Sequence, residues 1–189
     1  MKLLFAQGNP DKKYQNTRHN TGFLALDALG EKYDAVWRDI DKHKGRIATV
    51  EIGGEKVLLI KPLSYYNETG QVARTLIDYY KLQPATDLLV VHDDLALPLG
   101  TIRVRDRGSD AGNNGIKSLN LHVGETYRRI RVGIWTPGRD RMDDVNFVLG
   151  VFPKEEKEKL DKDIIPHVIS LIEQFASGTL ESSSATVTD

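Results

Sequence analysis

The stretch that most constrains this chain runs from residue 88 to residue 115, LLVVHDDLALPLGTIRVRDRGSDAGNNG. Leu88-Leu89-Val90-Val91 is a short, unbroken apolar run. Its length and branched residues predict a strand buried on both faces, over residues 88–91. His92, Asp93 and Asp94 follow at once. An acid cluster that ends a buried strand is expected at the edge of an open α/β sheet, where such folds keep their sites. Pro98-Leu99-Gly100 predicts a turn, and residues 101–105 alternate as a half-exposed strand. Gly108, Gly112 and Gly115, with Asn113 and Asn114, make a loop that can take left-handed angles and come close to a ligand.

The remaining chain supplies the elements to surround that strand. Strands are predicted over residues 2–7, 46–52, 56–60 and 129–135, with Gly53-Gly54 as a hairpin turn. Helices are predicted from about residue 20 to Gly30, from about 68 to 82, from 114 or 115 to 123, and over 154–176. Pro166 interrupts the last, so a kink or two helices are expected there. Residues 136–144 read as a charged, glycine-bearing loop. Strands alternating with helices predict one α/β domain over residues 1–178, a three-layer α/β/α sandwich around a twisted mixed sheet. Residues 179–189 are expected to be a flexible tail, since 182–189 (SSSATVTD) are small and polar.

Composition narrows the chemistry. The 189 residues include no Cys, which removes disulfides, thiolate nucleophiles and Cys-bound metal. No apolar run approaches the roughly 20 residues of a membrane helix, and the N-terminal apolar run is too short for a signal peptide, so a cytoplasmic, membrane-free protein is expected. Net charge is −1, yet between residues 103 and 141 nine Lys and Arg stand against four Asp and Glu. That local excess of five suits a phosphate-bearing partner, although a solvated arginine-rich hairpin would show the same pattern.

His19 stands where a loop meets a helix and could serve as a base if a carboxylate fixed its tautomer. Asp93 is the right kind of group, although spacing alone does not bring the two together. Asn9, Asn67, Asn113 and Asn114 fall at turns, which asparagine favours in any protein. Their amides can also donate and accept around a peptide backbone without burying charge. There is no Gly-x-Ser-x-Gly elbow and no P-loop. His92-Asp93-Asp94 lacks a second histidine cluster to complete a metal site, so neither metal nor cofactor is expected.

Ordered blocks then accumulate: Gly8-Asn9-Pro10 with Tyr14; Thr17-Arg18-His19-Asn20-Thr21-Gly22; Lys61-Pro62 with Tyr65, Asn67 and Gly70. Further on come His92-Asp93-Asp94-Leu95 with Leu97-Pro98 and Gly100, then Gly112 with Asn114-Gly115, Arg131-Val132-Gly133-Ile134 and Phe147-Val148-Leu149-Gly150. Each is weak alone. In this order and spacing the set resembles the bacterial-type peptidyl-tRNA hydrolase family from Lys2 to about Phe175. The resemblance implies hydrolysis of the ester joining a peptide to the 3′ end of tRNA, and the sequence calls for no cofactor, metal, DNA or membrane and for no more than a monomer.

The resemblance also implies roles. His19 matches a general base that activates water, and Asp93 the acid that orients it. Asn9 matches the amide that distinguishes a blocked amine from a free one. Tyr14, Tyr65, Asn67 and Asn114 match positions that hold the substrate's end, Asn113 is expected beside them, and Arg105 and Arg131 match basic positions toward tRNA phosphates. Lys117 is added on charge and position. Departures from the pattern are Asn113 for a histidine, Gln7 and Tyr66 for leucine and methionine, Asp11 for glycine, and a tail without the usual basic end. Asn113 is expected to hydrogen-bond without titrating. The other reading is a non-catalytic RNA-binding relative of the same fold; an unrelated α/β enzyme using the 108–115 loop for a nucleotide phosphate ranks third.

Overall fold

A computed structural model describes residues 1–187. Eight strands form one mixed sheet in the order β2-β3-β4-β1-β5-β7-β6-β8. They are β1 (Lys2–Ala6), β2 (Arg38–Ile40), β3 (Gly45–Ile52), β4 (Glu55–Pro62), β5 (Leu88–Pro98), β6 (Thr101–Arg105), β7 (Arg128–Trp135) and β8 (Ser183–Thr186). The central strands β4, β1, β5 and β7 run parallel, and antiparallel strands flank them on both sides. The helices are α1 (Thr21–Lys32), α2 (Thr69–Tyr80), α3 (Pro84–Asp87), α4 (Asn114–Val123), α5 (Asp144–Leu149), α6 (Lys154–Lys159) and α7 (Ile165–Ser177).

Strand alternation divides the core in two. Leu4 and Ala6 of β1 and Leu89 and Val91 of β5 pack with α1 and α7 on one face of the sheet. Their neighbours Leu3, Phe5, Leu88 and Val90 pack with α2 and α4 on the other. Because both faces of β1 and β5 are covered, these strands read as unbroken apolar runs. The expected three-layer α/β/α sandwich is thus the observed one.

The chain leaves β1 toward β4 on one side and β5 on the other, so the strand order reverses at β1. Open sheets leave a crevice beyond the carboxyl ends of their strands at such a point. Helix α1 begins there and sits close to the sheet: a Cβ on Gly22 would lie 2.6 Å from the Gln7 carbonyl oxygen. On the opposite face, Gly70 of α2 leaves room for the Ser118 backbone of α4, and its N–H donates to Ser118 Oγ at 3.0 Å.

Three expectations are corrected. The acid cluster does not end the central strand: β5 continues to Pro98, with a register irregularity against β7 between Asp94 and Pro98. His92, Asp93 and Asp94 are therefore buried within a paired strand. The tail does not fray over its described length. Residues 183–186 pair antiparallel with β6, opposing Ala185 to Ile102, and the Val187 N–H donates to the Gly100 carbonyl at 2.9 Å. The pairing satisfies backbone groups of β6 that an open edge would leave to water, and it requires no apolar pattern in the tail. Residues 188 and 189 lie outside the described residues. Finally, residues 136–144 are not all loop: Pro137–Arg141 form a 3-10 helix, and α5 begins at Asp144, its first turn capped by Asp143 accepting from the Asn146 N–H.

Around Pro166 the chain forms α6, a π-helical turn over Leu160–Ile164, and then α7. Proline supplies no N–H to the preceding turn, and the wider turn accommodates it. No helix among the described residues is long and apolar enough to cross a membrane.

Replacing Gly22 by Ala is expected to lower stability by roughly 1–3 kcal/mol, through overpacking of α1 against the sheet. Urea unfolding measures the loss.

Candidate active site

A cleft of about 700 Å³ opens at the carboxyl ends of the parallel strands. It is shaped by the loops after β1 and β4, by β5 itself, and by the start of α4, with α5 at its rim. Among the expected site residues, Asn9, His19, Tyr65, Asn67, Asp93, Asn113, Asn114 and Arg131 line it.

His19 lies on a 3-10 turn (Arg18–Asn20) at the entry to α1. Its neighbours hold that turn in place. The Arg18 guanidinium is buried, pairs with Glu156 at 2.7 Å, and sits 4.3 Å from the Phe147 ring centre. The Arg18 N–H donates to the Gly150 carbonyl at 3.0 Å. On the other side, Asn20 reads the backbone of Asn9 in both directions, accepting its N–H at 2.8 Å and donating to its carbonyl at 2.9 Å. Two buried side chains beside His19 therefore tie its turn to α5, α6 and the loop after β1.

The His19 imidazole Nδ1 lies 2.9 Å from Asp93 Oδ2. Asp93 is only 2% exposed. An ionised carboxylate can only accept, so Nδ1 carries the proton and Nε2 keeps the lone pair. The other Asp93 oxygen, Oδ1, accepts the Tyr66 hydroxyl at 2.6 Å. The rings of Tyr66 and His19 stack with centroids 3.5 Å apart. Burial, followed by the negative charge of Asp93, pushes the Tyr66 hydroxyl well above its usual pKa, so it remains a donor.

Asn113 closes this network. Its Oδ1 accepts the N–H groups of Gly115 and Ile116 and caps α4. Its Nδ2 donates to the Tyr66 hydroxyl oxygen at 3.0 Å and approaches the Asp93 carbonyl oxygen at 3.4 Å. The Asn113 amide is thus committed to internal partners. Asn9 differs: its Oδ1 accepts the Tyr66 N–H at 3.0 Å, and its N–H₂ is the group left to offer the cleft.

His92 is not placed to act as a base. Its ring is buried, Nδ1 lies 2.7 Å from the Asp93 carbonyl oxygen, and Nε2 has no partner. Burial holds its pKa below the ordinary value, against the opposing pull of Asp93 and Asp94.

The basic stretch is partly consumed by the fold. Arg129 is buried and donates to the carbonyls of Ser109 and Gly108, and Arg131 Nε pairs with Asp94 at 2.6 Å. Arg105 donates to the carbonyls of Val104 and Ser183. Arg105 on β6, Lys117 on an exposed face of α4 and Tyr14 in the Lys12–Tyr14 turn all lie outside the cleft lining. The local excess of positive charge is therefore smaller at the surface than in the sequence.

Tyr66 was not among the expected site residues. The signal for it was a tyrosine in the short turn after a buried strand: a buried Tyr hydroxyl needs a partner, and an acid cluster offered one.

Comparison with known proteins fits this geometry. A family model described as peptidyl-tRNA hydrolase matches residues 3–189. The chain belongs to the peptidyl-tRNA hydrolase family. It is 42% identical over 177 residues to the peptidyl-tRNA hydrolase of Listeria welshimeri, covering 93% of this chain and 90% of that protein. It is 44% identical over 167 residues to that of Geobacillus kaustophilus, covering 87% and 88%. The crystal structure of peptidyl-tRNA hydrolase from Acinetobacter baumannii superposes with a TM-score of 0.86 at 32% identity, covering 94% of this chain and 89% of that one. Nothing in these relatives favours a non-catalytic RNA-binding role.

Two outcomes are expected. Asn113→Ala removes the α4 cap and should cost about 1–2 kcal/mol, seen as an earlier thermal midpoint. His43, buried with both ring nitrogens unpartnered, also has its pKa held down by burial, as His92 does. Such histidines stay neutral when folded at pH values where the unfolded imidazole, with a pKa of about 6.5, takes up a proton. Stability should therefore fall as pH drops below about 6.5, and His43→Leu should make the loss shallower in urea unfolding.

Proposed function

We propose that this chain hydrolyses peptidyl-tRNA through a water activated by His19. The observation that supports this most directly is the 2.9 Å bond between His19 Nδ1 and the buried Asp93 carboxylate, which turns Nε2 toward base chemistry. Nε2 takes a proton from water, and the water oxygen attacks the ester carbonyl carbon. The tetrahedral intermediate collapses by breaking the bond to the 3′ oxygen of the terminal ribose. That oxygen takes the proton held by His19, leaving a free peptide and a tRNA with its 3′ hydroxyl. An ester leaving group is good enough for one base and oriented water. Asp93 stabilises the imidazolium while it exists.

The amide nitrogen of Asn9 is suited to donate to the peptide carbonyl that follows a blocked amine. An aminoacyl ester with a free amine has no such carbonyl. Tyr65, Asn67 and Asn114 line the cleft with polar groups that can hold the substrate's end, and Asn114 can stabilise the oxyanion. Tyr14 lies farther out, where it could meet only a longer part of the substrate. Arg131 retains terminal nitrogens beyond its bond to Asp94. With Arg105 and the exposed Lys117 it supplies positive charge for tRNA phosphates, which position the substrate without reading its sequence. The chain is proposed to act as a monomer in the cytoplasm.

Turnover of an N-blocked aminoacyl-tRNA beside its free-amine counterpart tests this reading. The native chain should release only the blocked amino acid. His19→Ala should lower kcat by about 100- to 10,000-fold while tRNA binding persists. Equal release of both substrates, or full activity without His19, would count against it.

A further inference from the structure

We propose that Tyr66 is a positioning residue for this reaction: its hydroxyl holds the Asp93 oxygen that His19 does not use, and so sets both the aim of that carboxylate and the share of its charge that reaches the imidazole. The inference rests on reading His19 as the base.

Every hydrogen-bond direction in this network follows from the backbone of α4. Two N–H groups, from Gly115 and Ile116, point at one end of the Asn113 side chain, so that end is the oxygen. The end facing Tyr66 is then the nitrogen, which can only donate. The Tyr66 oxygen accepts from it at 3.0 Å, and its single proton remains for Asp93 Oδ1 at 2.6 Å. No rotation of the hydroxyl serves both neighbours as well. The start of α4 thereby fixes Asn113, then Tyr66, then Asp93, and last His19.

The rest of Tyr66 is held just as firmly. Its N–H donates to Asn9, its ring lies on the His19 ring, and Gly115 leaves the space that ring fills, since a Cβ there would run into it. Tyr66 and Asn113 stand at two positions where the sequence departs from the family pattern, and here they bond each other.

A carboxylate shared between two donors offers each less of its charge than it would offer one alone. Tyr66 therefore takes a share of the charge that Asp93 presents to His19 and stops the carboxylate from rotating away. The other charged and titratable groups of the cleft are otherwise engaged. Asp94 pairs with Arg131, Arg129 holds backbone carbonyls, His92 is buried, Asp144 pairs with Arg139 at the rim, and Asp110 accepts the Gly112 N–H. Tyr65 is exposed.

Tyr66→Phe deletes the hydroxyl and keeps the ring against His19. The His19 ring-proton NMR signal of the full-length chain, followed across pH without substrate, reads the effect independently of turnover. The titration midpoint is expected to lie about half a pH unit higher in Tyr66→Phe than in the native chain. An unchanged or lower midpoint would overturn the proposal. The acid limb of kcat/KM on N-blocked aminoacyl-tRNA should move upward with it. If the midpoint moves and the limb does not, the link from Tyr66 to His19 stands and the assignment of His19 as base falls. Asn113→Ser keeps a cap for α4 but cannot reach Tyr66. It should shift the midpoint the same way by a smaller amount, and it provides the test if Tyr66→Phe does not fold.

Discussion

The site depends on one buried carboxylate. Asp93 is almost sealed from water, and an ionised acid in such a place is costly unless its oxygens are met by donors. His19 meets one oxygen and the Tyr66 hydroxyl meets the other. Removing either donor would leave a buried charge partly uncompensated, so the carboxylate draws both side chains toward itself. The same attraction that makes Asp93 affordable inside the sheet orients the imidazole of His19, which lines the cleft.

Distant parts of the chain bring these groups together. Asp93 comes from the central strand β5, flanked by β1 and β7. His19 comes from the turn before α1, held by Arg18 against Phe147 and Glu156 and by Asn20 against Asn9. Tyr66 comes from the turn after β4, and Asn113 from the cap of α4. The strand order reverses at β1, which places the ends of β1, β4 and β5 around one crevice. Helices on both faces pack against those strands, and the geometry of the candidate site is therefore a consequence of how the sheet is wound.

Much of this was legible in the sequence because burial on both faces leaves a plain signal. The apolar runs of β1 and β5, the hairpin at Gly53-Gly54 and the proline-interrupted C-terminal helices all follow from backbone geometry and hydrophobic pattern. His19, Asp93 and the turn asparagines were recognisable as a set, with the spacing of the blocks supplying what single residues could not. Features resting on backbone pairing alone were hidden. Residues 183–186 join the sheet edge through main-chain bonds that small polar side chains neither favour nor forbid, and β5 runs on through its acids because Tyr66 and His19 donate to Asp93 and Arg131 pairs with Asp94. Tyr66 itself is separated from Asp93 by 27 positions, and no local pattern reports a contact of that range. The arginine excess misled in the opposite sense: Arg129 is spent on carbonyls inside the fold, and Arg131 gives one nitrogen to Asp94.

The most direct test of this account is the single-turnover rate of Asp93→Asn on a saturating N-blocked aminoacyl-tRNA, with tRNA affinity measured alongside. Asn keeps the size of the side chain and removes the charge that fixes and stabilises the His19 imidazolium. The account predicts a fall in rate of about 100-fold or more at unchanged affinity. A rate within a few-fold of native would contradict it, because the buried carboxylate would then not be what makes His19 a base.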